Sequence, residues 1–66
     1  MYLSREEEIM IQSFLEQIPE KKLGELSLVL RHFKDLQFDG TRKGLEKLLM
    51  RRPKLIKAFD PFVKAN

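Results

Sequence analysis

Pro53 cuts the last third of this 66-residue chain in two, and that cut constrains the fold more than any other feature. Before it, the stretch from about Arg42 to Arg51 carries Leu45, Leu48 and Leu49 at helical spacing. After it, Leu55, Ile56, Phe59, Phe62 and Val63 line one side of a second short helix. Proline breaks a helix interior but suits its first residue, where the missing N–H has no partner to lose. Pro53 therefore starts the second helix, and Asp60-Pro61 is expected to end or distort it. Two short helices at a sharp corner can brace a longer helical pair and leave one groove open.

The longer pair is legible upstream. Ser4 and Glu7 stand at capping-box spacing, and Glu6, Glu7 and Glu8 suit the positive end of a helix dipole. The first helix begins near Ser4, buries a stripe of Ile11, Phe14, Leu15 and Ile18, and stops before Pro19, because the residue before proline avoids helical angles. Pro19 then opens a second helix with Leu23, Leu26, Leu30 and Phe33 on one face, Val29 beside it and the pattern running to Leu36. Leu28 points nearly the opposite way. Gly24 either admits another backbone closely or is simply tolerated. Phe38-Asp39-Gly40-Thr41 is the clear loop, with Asp-Gly turn chemistry and Thr41 as the N-cap of the third helix. The expected fold is all-α: a small four-helix bundle, residues 1–66 forming one domain, with an open apolar groove between helices 1 and 2.

Few reactive groups are present. Cysteine is absent, His32 is the sole histidine, and the three glycines are scattered, so no thiolate, zinc-binding pair or phosphate loop can be assembled. Ser27 lies five residues from His32, a spacing that does not bring helical side chains together. No catalytic residue, metal or cofactor is expected, and the chain is not read as an enzyme. No apolar run approaches the ~18 residues of a membrane span. The acidic start argues against a secretory leader, and an intracellular location is expected. Met1 is compatible with a whole protein or an excised domain.

Charge is divided unevenly. Residues 1–20 balance to −4 and residues 21–66 to +7. Arg42, Lys43, Lys47, Arg51, Arg52, Lys54 and Lys57 make a basic surface on helices 3 and 4. Such a surface either covers solvated helix faces or meets nucleic acid. No set of arginines or asparagines is aimed at bases, and no aromatic residues interleave with the cations, so nucleic acid is the weaker alternative.

Ile9, Met10 and Leu28 are left over once the core stripes are assigned. A contiguous exposed apolar patch marks an interaction surface, and methionine repacks around varied partners. The groove is expected to use Ile9, Met10, Phe14, Leu28, Val29 and His32, and to receive an amphipathic helix of a partner at an affinity of ~1 μM. A homodimer contact and a wide core are the competing readings of the same residues.

Residues 26–63 resemble the paired amphipathic helix domain of Sin-type histone-deacetylase corepressor scaffolds. Leu30-Arg31-His32-Phe33-Lys34-Asp35 matches the end of that domain's second helix, Asp39-Gly40 its turn, and Leu45-Glu46-Lys47-Leu48-Leu49 its third helix. Pro53-Lys54-Leu55-Ile56 followed by Phe59 and Phe62 matches its proline step and phenylalanine pair. Arg51-Arg52 stands where the family has a glycine–histidine type pair, and Val63-Lys64 where it has leucine and proline. The chain is similar, more loosely, to harmonin-homology domains. The resemblance implies a scaffold function in transcription regulation and a nuclear location. In that family helices 1 and 2 form a wedge for the partner helix, and helices 3 and 4 close its base.

Overall fold

A capped helix start opens the folded chain. In the computed structural model, which describes residues 3–36 and 38–65, the Ser4 hydroxyl accepts from the Glu7 N–H at 3.1 Å and Glu7 Oε1 accepts from the Ser4 N–H at 3.0 Å. The expected capping box is therefore formed, and helix α1 (Arg5–Gln17) follows it. Ile18 ends it in extended geometry, ψ 122°, ahead of Pro19. Among the described residues three more helices follow, α2 (Glu20–Leu30), α3 (Arg42–Arg51) and α4 (Leu55–Lys64), with no strand. The all-α, four-helix fold expected from the sequence is the fold observed.

Three boundaries differ from the expectation. Pro19 is the N-cap of α2 rather than its first residue. More consequentially, α2 stops at Leu30 instead of running to Leu36. Tight turns replace it, with the His32, Phe33 and Leu36 amides donating to the carbonyls of Val29, Leu30 and Phe33. Phe33 leaves the inner face and is 54% exposed. The chain reverses here: Gly40, at φ +86°, lies so close to α2 that a Cβ on it would stand 3.3 Å from the Ser27 hydroxyl. A helix continued to Leu36 would carry the chain about 13 Å past Ser27, with only the next four residues to return. The third difference concerns α4. Pro53 lies in the turn before it rather than at its first position: the Leu55 and Ile56 amides donate to the Arg52 and Pro53 carbonyls, α4 starts at Leu55, and it continues through Pro61 to Lys64. Pro61 removes one N–H from the helical ladder, yet Phe62 and Val63 still pack against the core.

The interior is built from one apolar face of each helix. Helix α1 gives Ile11, Phe14 and Leu15, with Ile18 beyond its end; α2 gives Leu23, Leu26 and Leu30. Helix α3 gives Leu45, Leu48 and Leu49, and α4 gives Ile56 and Phe59. No polar or charged residue is buried among the described residues. Helix α1 lies closest to α3 and next to α4, so its approach to α2 is the looser one. Between α1 and α3 Gln12 Nε2 donates to Glu46 Oε2 at 2.7 Å, and between α2 and α4 the Lys22 ammonium sits 5.1 Å above the Phe62 ring. The Cα radius of gyration, 11.2 Å, matches the roughly 11 Å of a packed chain this long.

Candidate functional site

The residues expected to line a groove divide between core and surface. Phe14 is 5% exposed and belongs to the core. Ile9 and Met10 are exposed on α1, Leu28 and Val29 on α2, and His32 in the turn after it. Leu28 is 61% and Val29 45% exposed. Met10 faces a small depression toward α4, shared with Glu7, Pro53 and Ile56. Phe33 joins Leu28 and Val29, so three large apolar side chains within six residues of chain lie open to solvent. The sequence reading assigned Phe33 to the core because its spacing from Leu26 and Leu30 is helical; only the early end of α2 turns it outward. Met50 falls outside the Leu45–Leu48–Leu49 stripe and is exposed on α3, a position the helical spacing alone could have signalled.

Of the seven basic residues, Arg42 stands apart. Its guanidinium donates to the carbonyls of Leu15 and Ile18, the latter at 2.7 Å, and meets Glu20 Oε1 at 2.9 Å. Helix α1 has no basic residue in its last turn, so an arginine from α3 supplies both positive charge and donors to its C-terminal end. Lys43, Lys47, Arg51, Arg52, Lys54 and Lys57 are exposed and form no ion pair among the described residues.

The loop before α3 is a small polar lock. Asp39 Oδ1 accepts from the Thr41 hydroxyl at 2.6 Å and the Thr41 N–H at 2.9 Å, while the Thr41 hydroxyl accepts from the Gly44 N–H at 2.9 Å. The Thr41 hydroxyl, then its amide, hold the Asp39 carboxyl below its ordinary pKa. Gly44 makes room for this carboxylate, since a Cβ there would fall 2.1 Å from Asp39 Oδ1. Among the described residues no group of three or more His, Asp or Glu side chains is arranged to hold a metal ion, and no helix is long and apolar enough to cross a membrane.

These features define a small all-helical fold with an apolar core, apolar side chains left on α1 and α2, and cations gathered on α3 and α4. No family model matches the chain, and neither a curated protein nor a solved structure matches it.

Proposed function

We propose that this chain is a non-catalytic interaction module that docks an amphipathic helix of a partner protein. The observation that carries the reading is the exposure of Leu28, Val29 and Phe33 on and just after α2. Three large apolar side chains in water within six residues of chain are a liability for a free domain and an asset for a bound one. A partner helix with apolar residues at three- and four-residue spacing can cover them. Helix α2 is also the one that α1 approaches least closely, which leaves it free to take a partner along its exposed side. Arg31, His32 and Lys34 stand among the apolar residues, so acidic flanks on the partner would speed encounter. The resemblance to paired amphipathic helix domains makes a transcription regulator the natural source of such a helix.

Leu28→Asp tests the reading with little risk to the fold, because the side chain is mostly solvated. Titration of the wild type with leucine-rich amphipathic peptides should give micromolar binding, and Leu28→Asp should weaken it about tenfold or more. Equal affinities in two folded proteins would remove α2 from the site. Concentration-dependent dimerisation abolished by Leu28→Asp would instead assign the patch to self-association.

A further inference from the structure

A second surface lies away from α2, where the N-terminal end of α1 meets the α3–α4 corner. Two depressions, about 480 Å³ and 230 Å³, adjoin there along Glu7, Pro53 and Lys54. Leu3, Met10, Leu55 and Ile56 supply apolar walls, and the surface is predominantly apolar. Arg51, Arg52, Lys54 and Lys57 stand around it, all exposed and without an ion pair among the described residues. The one acid in the lining, Glu7, already accepts from the Ser4 N–H in the capping box.

We propose that this trough takes an acidic amphipathic segment of a partner, apolar side chains in the floor and carboxylates on the four cations. Charge complementarity selects the occupant: four unpaired cations concentrate negative charge, and arginine grips carboxylates in a fork. The floor argues against nucleic acid, because it is aliphatic and offers no aromatic ring for bases to stack on. Both depressions are open, so an acyl chain would stay largely wet, whereas a peptide need bury only one face. A second copy is a poorer fit. Helix α1 carries acids, but Ile9 is its one exposed large apolar residue that does not line the trough.

The test is a ¹H–¹⁵N titration of the full chain with a synthetic peptide bearing leucines at three- and four-residue spacing and glutamates elsewhere. A matched peptide with lysines in place of the glutamates is the control. The glutamate peptide should shift the amides of Leu3, Met10, Leu55 and Lys57, and bind at least tenfold more tightly than the lysine peptide. Arg52→Glu with Lys54→Glu should reduce that affinity about tenfold or more, while Leu28→Asp leaves the trough shifts intact. Because Leu28→Asp removes the α2 site alone, the two sites succeed or fail separately. Equal binding of both peptides, or shifts confined to Leu28–Phe33, would overturn the proposal. So would trough shifts produced by a short DNA duplex and not by the glutamate peptide, or a dimer that Lys54→Glu dissolves.

Discussion

Two glycines inside helices carry opposite meanings at the scale of single residues. Gly24 lies in α2 with nothing within 4 Å of where its Cβ would be, so the close-approach reading of the sequence has no neighbour to act on. Gly24→Ala should stabilise the fold by ~1 kcal/mol through helix propensity and the unfolded state. In a domain this size that raises Tm by about 4–8 °C. Gly44→Ala has the same intrinsic benefit and should not deliver it. Its Cβ would displace the Asp39 carboxylate and crowd the Thr41 cap, undoing bonds that start α3. Thermal melts should place Gly44→Ala at or below wild type, and in an Asp39→Ala background the same substitution should become stabilising. A Gly44→Ala protein that melts as high as Gly24→Ala would show that the loop yields freely.

Elements were legible where their signals were local. Ser4 and Glu7, three residues apart, announced α1; Thr41 announced α3; Pro53 announced the corner before α4. The end of α2 was not legible, because nothing between Leu30 and Leu36 breaks a helix and the turn there answers to Gly40 meeting Ser27 across the loop. Exposure of Phe33 follows from that tertiary demand, which is why one of the three residues of the α2 patch was hidden in the sequence. At Pro61 the sequence leaves open whether the helix ends or is only distorted, and the structure decides for continuation, with Phe62 and Val63 packed against the core on the inner side their spacing gives them. Arg42 shows the same limit, since its carbonyl partners lie 24 and 27 residues away. It ties the end of α1 to the start of α3 and should stabilise the pair by about 1–2 kcal/mol, the scale of charge-assisted hydrogen bonds at a partly exposed site. Urea melts should show that loss in Arg42→Ala. Arg42→Lys should recover less than half, because one ammonium cannot fork between two carbonyls and Glu20. Lys43→Ala, one residue away and exposed, should stay within about 0.5 kcal/mol of wild type. Equal effects at 42 and 43 would leave Arg42 as one more solvated cation.

The whole molecule rests on a single narrow support. Its helices α3 and α4 are ten residues each, too short to persist alone in water. No disulfide is available, and no buried polar network adds to the apolar interior among the described residues. A core of this size supplies ~3–5 kcal/mol. Truncating a fully buried leucine removes about 2–5 kcal/mol. Those two magnitudes overlap, so one substitution in the middle of α3 should abolish the fold rather than weaken it. Leu45 and Leu49 have no exposed surface and are the sites of choice. Leu45→Ala should lose most of its helical circular dichroism at 37 °C, whereas Leu28→Ala, with a side chain mostly in water, should melt within a few degrees of wild type. The contrast bears directly on function. A surface that can be changed without touching stability is a surface the fold does not need, and α2 devotes Leu28, Val29 and the turn residue Phe33 to such a surface. If Leu28→Ala unfolded the chain as Leu45→Ala does, that patch would be part of the support itself, and the argument for a partner on it would go with the distinction.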